Sequence, residues 1–196
     1  MNLANKITIA RIGLIPLFML TLQHYPAWMV EGMPWLSQVN QYGSSLAVLI
    51  FLLASTTDKL DGYIARKYNQ VTPLGKLLDP LADKLLISAA LLMMVEQSMI
   101  PAWMAVVIIG REVVITGIRV LAAAKGIALA ADRHGKLKMV LQVVAIAAVL
   151  LRNYPFAWMT SLPIDYMLML VAVVLTVYSG YKYIANNYQA LQLHKN

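Results

Sequence analysis

Residues 58–83 read DKLDGYIARKYNQVTPLGKLLDPLAD and hold four of the nine acidic residues of the chain. Two aspartates precede a short segment of mixed composition, and two follow it. If the flanking segments are helices, residues three, four and seven positions apart share one face. The first such face then consists of Asp58, Asp61, Gly62 and Ala65, and the second of Gly75, Asp79 and Asp83.

The connecting segment, residues 67–74, is short enough to force the two helices into an antiparallel pair. Residues at the same height in such a pair have numbers with a constant sum. The loop length therefore places Asp58 level with Asp83, and Asp61 nearly level with Asp79. The spacing predicts that the four carboxylates form one ring.

A ring of four carboxylates in a membrane helix pair requires bound cations. Each carboxylate costs about 2.5–3.5 kcal/mol at the centre of a membrane helix. Oxygen ligands favour Mg²⁺, Mn²⁺ or Ca²⁺ over zinc, and four carboxylates suit two ions that clamp a phosphoryl group. Gly62 and Gly75 leave room for a bulky ligand, and the planar fork of Arg66 suits a diphosphate.

The remainder of the chain is strongly apolar. Of its 196 residues, 60% are hydrophobic and 13% are charged, and the mean hydropathy is +0.67. Soluble domains are about 45–50% apolar and about 25% charged, so we exclude soluble enzymes, disordered tails and nucleic-acid-binding domains. The absence of cysteine excludes disulfides and thiolate zinc sites. We expect an all-α, polytopic membrane protein with a single domain over residues 1–196.

Six apolar stretches predict six transmembrane helices. A short interfacial helix around Lys6 and Arg11 is expected to lead into the first span. The predicted spans are 7–22, 44–66, 75–95, 102–124, 136–151 and 166–183.

Basic residues alternate between the predicted loops. They occur at both termini and after the second and fourth spans, whereas residues 23–43 and 96–101 contain none. The positive-inside rule therefore places both termini in the cytoplasm. Charged residues within the spans lie towards the same side, which predicts a polar cavity that opens to the cytosol. The net charge of +7 then reflects inside-facing loops rather than a nucleic-acid partner.

The carboxylate stretch resembles the signature of the CDP-alcohol phosphatidyltransferases, D-x2-D-G-x2-A-R-x8-G-x3-D-x3-D. All of its fixed positions are matched, by Asp58, Asp61, Gly62, Ala65, Arg66, Gly75, Asp79 and Asp83. The resemblance implies a six-helix membrane fold, usually dimeric. The implied reaction displaces CMP from a CDP-linked lipid by an alcohol with the help of two divalent cations, Mg²⁺ before Mn²⁺.

The resemblance also implies roles for individual residues. Asp58, Asp61, Asp79 and Asp83 would bind the metals, and Asp83 would act as general base on the acceptor hydroxyl. The hydroxyl would attack the β-phosphorus next to the diacylglycerol oxygen, and CMP would leave. Contacts to the CDP-lipid would come from Asp58, Asp61, Gly62, Ala65, Arg66, Thr72, Gly75, Asn5 and Thr8.

The acceptor is indicated by residues outside the carboxylate stretch. Asn5, Thr8, Arg11 and Pro16 resemble the N-terminal pattern of bacterial members that use glycerol 3-phosphate to make phosphatidylglycerophosphate. Arg111-Glu112, Arg119 and the segment Gly135-Lys136-Leu-Lys138 resemble the same subgroup. We therefore expect Arg111, Arg119 and Lys136 to form a pocket for the acceptor phosphate.

Alternatives remain open at this point. Glu112 and Arg119 would otherwise pair within their helix, and Lys136 and Lys138 would anchor in lipid headgroups. Inositol phosphate, serine and phosphatidylglycerol are alternative acceptors. A cation transporter would also explain a ring of carboxylates, but not the glycines and the arginine in phase with it. The enzyme interpretation predicts a homodimer in the bacterial cytoplasmic membrane, with CDP-diacylglycerol and glycerol 3-phosphate as substrates and an active site that faces the cytoplasm.

Overall fold

The computed structural model describes residues 3–67, 73–127, 129, 134–154 and 156–191. Within these ranges it describes all side chains except those of residues 3, 4, 58–67, 73, 74, 76, 77, 79, 134–137 and 189–191. None of the described residues lies in a β-strand, so the predicted all-α class is confirmed. The helices are α1 (Leu3–Leu22), α2 (Ala27–Gly32), α3 (Trp35–Lys67), α4 (Pro73–Glu96), α5 (Ala102–Ala124), α6 (His134–Leu150) and α7 (Ile164–Leu191), with a short 3-10 helix at Phe156–Trp158.

Three of these helices contain a segment that is long and apolar enough to cross a membrane. The segments are Asn5–Leu22 in α1, Trp35–Thr57 in α3 and Ile164–Tyr188 in α7. In α6 the apolar part, Lys138–Leu150, is shorter. The 24 residues of α4 and the 23 of α5 are long enough for a core about 30 Å thick, at about 1.5 Å per residue. Charged residues within α4 and α5 lower their mean hydropathy.

The beginning of the chain differs from the sequence-based expectation. α1 runs unbroken from Leu3, where the description starts, to Leu22, so no separate interfacial helix precedes the first span in this part of the chain. Arg11 is only 1% exposed, and Asn5 and Thr8 are also buried. These three residues are spaced by three positions, so they form one polar face that points into the protein.

The core lies between α1, α3, α4, α5, α6 and α7. Phe18 of α1 and Phe51 of α3 are both fully buried, and their ring centroids are 6.1 Å apart. Leu86 and Met94 of α4 belong to the same cluster of buried side chains. α1 packs against both α3 and α4, and α7 packs against α5 and α6. This packing fixes the two helices that carry the aspartates.

One end of the bundle can be recognised by a small polar cavity of about 50 Å³. Thr21 of α1, Ser44 of α3, Gln97 and Arg152 all line it. The end of α1, the first part of α3, and the ends of α4 and α6 therefore meet at one end of the molecule. α3 and α4 consequently run antiparallel, as the short connection predicts.

α1 and α3 approach each other closely at Gly43, which is buried. A Cβ atom added to this residue would lie 2.0 Å from the backbone carbonyl oxygen of Thr21. Real Cβ atoms do not approach a backbone oxygen so closely, so only glycine allows the two helices to pack at this distance.

We predict that Gly43→Ala lowers the stability of the folded protein, because the two backbones must move apart. Overpacking of this kind costs about 1–3 kcal/mol, which thermal unfolding of the detergent-solubilised protein would detect as a lower midpoint. Gly13→Ala is the matched control, since nothing lies within 4 Å of its added Cβ. Equal midpoints for the two variants would contradict the prediction.

Candidate active site

A polar cavity of about 330 Å³ lies between α4, α5 and α6. α4 contributes the carboxyl group of Asp83, the predicted base, and α5 contributes both predicted phosphate-binding arginines. The described side chains that line the cavity are Pro80, Asp83, Lys84, Ile87, Ser88, Ile108, Ile109, Arg111, Glu112, Arg119, Lys138, Met139 and Gln142. The structure thus brings the predicted base and two of the three predicted phosphate ligands to one cavity.

Glu112 is the centre of the charge network in this cavity. Its Oε1 accepts hydrogen bonds from Nζ of Lys138 and from Nη1 of Arg111 at 3.2 Å. The Lys138 side chain is 7% exposed, that of Arg111 is 12% exposed and that of Glu112 is 28% exposed. Buried charges need such partners, because an uncompensated charge away from water is costly.

α7 forms the support behind the two arginines of α5. Nη2 of Arg111 donates a hydrogen bond of 2.8 Å to Oγ of Ser179. Next to this contact, a Cβ added to Gly180 would lie 3.1 Å from Cγ of Arg111, so glycine leaves the room that the arginine side chain occupies. The side chain of Arg111 is therefore held from two sides.

Arg119 is fixed by one aromatic residue of α7. Its Nε donates a hydrogen bond of 3.1 Å to the hydroxyl of Tyr183, and its guanidinium carbon lies 5.0 Å from the centre of the same ring. Tyr183 is 2% exposed, whereas Arg119 is exposed. A buried tyrosine therefore orients a guanidinium that stays accessible to a ligand.

Lys84 is held by a relay through α5. Its Nζ donates to Oγ1 of Thr116, and the Thr116 hydroxyl donates to the backbone carbonyl oxygen of Glu112 at 2.6 Å. Lys84 follows Asp83 directly and lines the same cavity. The cavity therefore has a second lysine next to the predicted base.

These contacts correct two of the alternatives raised by the sequence. Glu112 pairs with Lys138 and Arg111, while Arg119 is bonded to Tyr183, so the alternative pair of Glu112 and Arg119 within one helix is not what the structure shows. Lys138 is 6% exposed and faces the cavity, so it does not anchor in lipid headgroups. The carboxylate of Glu112 draws the lysine inward.

Sequence reasoning missed several residues of this cavity. Neither Lys84 nor Gln142 was predicted to line the pocket, and Lys138 was named only in the subgroup resemblance and as an alternative headgroup anchor. Lys138 and Gln142 are four positions apart, and this spacing places them on one face of α6. Helical spacing could thus have found them, but the contacts of Ser179 and Tyr183 from α7 had no signal in the sequence.

Many of the predicted ligands of the CDP-lipid and metals lie outside the described side chains. Gly75 is buried in α4, and Asp83 lines the cavity. Thr72 lies outside the described residues altogether. The side chains of further predicted ligands lie outside the description as well, and these ligands are Asp58, Asp61, Gly62, Ala65 and Arg66 in α3, Asp79 in α4 and Lys136 in α6. The ring of four carboxylates therefore stays a prediction.

The far end of the bundle limits the register of α3 and α4. Val39, Asn40, Gly43 and Ser44 of α3 line the same small cavity as Gln97. Both helices advance by about 1.5 Å per residue, so fourteen residues from that end lead to position 83 in α4 and to positions 53–58 in α3. The pairing of residues 58 and 83 that the loop length predicts lies at the edge of this range and stays a prediction.

The buried polar face of α1 can be placed by counting residues from the contact between α1 and α3. Gly43 contacts Thr21, and equal steps of sixteen residues lead from there to position 59 in α3 and to Asn5 in α1. Asn5 therefore lies level with the part of α3 that holds the first two aspartates, and Thr8 follows one turn away. Both are buried.

The family assignment follows from comparison with known proteins. The family model described as CDP-alcohol phosphatidyltransferase matches residues 1–178. The chain belongs to the CDP-alcohol phosphatidyltransferase family. The resemblance inferred from the aspartate pattern is thereby confirmed, and the enzyme is favoured over a cation transporter.

Individual phosphatidyltransferases match over almost the entire chain. A protein of Bacillus subtilis named CDP-diacylglycerol--glycerol-3-phosphate 3-phosphatidyltransferase is 46% identical over 193 residues, which cover 97% of both chains. A protein of Rickettsia felis with the same name is 34% identical over 182 residues, or 93% of each chain. A probable phosphatidylglycerophosphate synthase of Mycobacterium tuberculosis is 34% identical over 94% of this chain and 80% of its own.

Membership in the phosphatidyltransferase family agrees with the apolar helices of the structure. α1, α3 and α7 each contain a segment suited to crossing a bilayer. The family model covers α1 and α3 completely and α7 as far as residue 178. The chain is an integral membrane enzyme whose charged side chains gather in a cavity between helices. Intramembrane charges of this kind mark functional sites.

Proposed function

We propose that this phosphatidyltransferase transfers the phosphatidyl group of CDP-diacylglycerol to sn-glycerol 3-phosphate, giving phosphatidylglycerophosphate and CMP. The observation that carries the proposal is the cavity that joins Asp83 to Arg111, Arg119 and Lys138. An acceptor of this kind has one hydroxyl to be activated and one phosphate to be held. It therefore requires a base and a phosphate-binding pocket. The names of the Bacillus and Rickettsia relatives state the same two substrates.

The charge of the cavity supports a phosphorylated acceptor. Among its described side chains, Lys84, Arg111, Arg119 and Lys138 are cationic, and Asp83 and Glu112 are acidic. Four positive charges against two negative charges leave an excess of two. A phosphate monoester carries about −1.5 to −2 at pH 7, so it would neutralise this excess. Serine has no phosphate and would leave it uncompensated.

We assign the two halves of the reaction to two groups of residues. Asp83 would accept the proton of the attacking hydroxyl. Arg111, Arg119 and Lys136, joined by Lys138, would hold the acceptor phosphate through charge-assisted hydrogen bonds. Glu112 would orient Arg111 and Lys138, with which it already pairs.

The CDP-lipid would bind at the hairpin of α3 and α4. In this proposal Gly62, Ala65, Arg66, Thr72 and Gly75 contact the CDP moiety, and Asn5 and Thr8 contribute from α1. The burial of Asn5 and Thr8, level with the aspartates of α3, supports the latter role. Arg66 would hold the diphosphate through its fork.

Two divalent cations belong to the same proposal. Asp58, Asp61, Asp79 and Asp83 would hold them, and their all-oxygen donor set fits Mg²⁺ first and Mn²⁺ second. The short connection between α3 and α4, which predicts that residue 58 lies level with residue 83, supports this assignment. When bound, the ions would stabilise negative charge on the diphosphate and on departing CMP.

The proposed topology has six spans with both termini and the cavity on the cytoplasmic side of a bacterial membrane. Support comes from the two ends of the bundle. At the end of the bundle with Thr21, Ser44 and Gln97, Arg152 is the one lysine or arginine among the described residues that line the small cavity. At the opposite end, Arg66 and Lys67 form the end of α3, and Lys125 directly follows α5. We also propose, from the family resemblance alone, that the enzyme is a homodimer.

One assay tests the proposed function. Purified enzyme with CDP-diacylglycerol and Mg²⁺ is expected to release CMP with glycerol 3-phosphate, and much less with inositol phosphate, serine or phosphatidylglycerol. Chelation of divalent ions should abolish the release, and added Mg²⁺ should restore it, because four carboxylates without cations repel the diphosphate. CMP release with serine or inositol phosphate alone would refute the acceptor assignment, and activity that persists in excess chelator would refute the metal assignment.

A further inference from the structure

A buried glutamine is the feature of the cavity that the proposed reaction leaves without a role. Gln142 of α6 is 4% exposed and lines the cavity. Its Nε2 atom is shielded from solvent and has no hydrogen-bond partner within the described part of the chain. Buried side-chain amides in proteins nearly always have partners, because an unsatisfied donor loses its bonds to water without replacement.

The position of Gln142 shows which part of the cavity it faces. It follows Lys138 by one helical turn, which is about 6 Å further from the start of α6. In the same direction, Ile87 lies one turn beyond Asp83 on α4 and Ile108 lies one turn beyond Glu112 on α5, and both line the cavity and are buried. The amide therefore lies at the apolar inner end of a cavity whose outer part is charged.

The charged groups of the cavity already have assignments, and Ser88 of α4 is a further polar residue of its lining. The cations would take the phosphate of the acceptor, and Asp83 would take its reacting hydroxyl. Among the described side chains, Nε of Arg111 is also buried without a partner, and Arg111 lines the same cavity. Arg111 is already assigned to the phosphate of the acceptor. An acceptor that is a phosphorylated triol has one polar group left, the hydroxyl that neither reacts nor carries phosphate.

We infer that Gln142 is a specificity-determining residue that donates a hydrogen bond from its amide to the non-reacting middle hydroxyl of glycerol 3-phosphate. The inference rests on the proposed function and extends it to the polyol part of the acceptor. A phosphorylated acceptor without this hydroxyl would leave the amide unpaired in the complex. A site that pairs a substrate hydroxyl discriminates strongly against the analogue that lacks it.

The test compares glycerol 3-phosphate with 3-hydroxypropyl phosphate, which differs only by the missing middle hydroxyl. For the wild-type enzyme, kcat/KM for CMP release is expected to be about 10- to 100-fold lower with the analogue, the effect of one lost hydrogen bond to a buried donor. In Gln142→Leu, kcat/KM for glycerol 3-phosphate should fall by a similar factor, while kcat/KM for the analogue should stay close to the wild-type value. The KM for CDP-diacylglycerol should not change.

Gln41→Leu is the matched control, since Gln41 is exposed near the other end of the bundle; it should retain the wild-type preference. Equal kcat/KM values of the wild-type enzyme for the two acceptors would overturn the inference, even if Gln142→Leu does not fold. Retention of the full preference by a folded Gln142→Leu would overturn it as well. Failure of the wild-type enzyme to use either acceptor would instead refute the proposed function.

Discussion

Replacement of Asp83 by asparagine is expected to lower the turnover number by about 10²–10⁴-fold, the range that a general base contributes. The change keeps the size and the polarity of the side chain but removes its ability to accept a proton. Asp83 lines the cavity that also holds Arg111 and Arg119, so it is placed to act on the hydroxyl of a phosphate-bound acceptor. CMP release under saturating conditions measures the effect.

The variant should still bind CDP-diacylglycerol, because three further aspartates remain for the proposed metals. A binding measurement with the CDP-lipid therefore separates loss of chemistry from loss of the site. Glu96→Gln is the matched control: it makes the same chemical change at the other end of α4, where Glu96 is exposed. If Asp83→Asn turns over at a rate close to that of Glu96→Gln, Asp83 is not the base.

The sequence predicted the helices best where their signal was local. The prediction of a span over residues 102–124 coincides with α5, because Pro101 precedes the apolar run and Gly126 follows it. Gly126 has φ of 70°, a left-handed conformation that ends helices. The antiparallel orientation of α3 and α4 followed equally from local spacing, since a short loop leaves little freedom.

The boundaries were wrong where polar residues lie inside a helix. α3 begins at Trp35, nine residues before the predicted start of the span, because residues 35–43 include Ser37, Gln38, Asn40 and Gln41. Polar residues interrupt the apolar signal but do not break a helix that packs against a neighbour. The predicted interfacial helix is not confirmed, since α1 runs unbroken over Leu3–Leu22, and the burial of Arg11 comes from tertiary packing that its local sequence does not reveal.

The candidate site was predictable in its residue types but not in its partners. Arg111 and Arg119 were expected in one pocket, and the structure places both at one cavity. Their supports, Ser179 and Tyr183, are more than sixty positions away in the chain. Contacts between such distant helices depend on the complete packing of the bundle, so no spacing rule within one helix gives them.

The interior of the cavity also explains how an apolar bundle tolerates so many charges. Glu112 pairs with both Lys138 and Arg111, and the Arg111 guanidinium has a further acceptor in Ser179. Each buried charge thus has partners before a ligand arrives. The excess positive charge that remains is available for an anionic substrate, and it lies in the cavity that Asp83 also lines.

Removal of the Arg111 guanidinium is therefore expected to weaken acceptor binding selectively. We predict that Arg111→Ala raises the KM for glycerol 3-phosphate by about 10²–10³-fold, since loss of one partner from a buried charge pair costs about 2–5 kcal/mol. The KM for CDP-diacylglycerol should stay close to the wild-type value, because the proposed CDP-lipid ligands lie on α1, α3 and α4. Initial rates of CMP release over a series of concentrations of each substrate measure the two constants.

The design of this experiment follows from the network around Glu112. Its carboxylate keeps Lys138 as a partner when Arg111 is absent, so the variant does not leave a lone buried acid and is expected to fold. Arg111→Lys should fall between the wild type and Arg111→Ala, because lysine restores the charge without the planar fork. Arg152→Ala, which removes an exposed arginine at the far end of the bundle, should leave both constants unchanged. If Arg111→Ala raises the KM values of donor and acceptor equally, Arg111 stabilises the helices around the cavity rather than the acceptor phosphate.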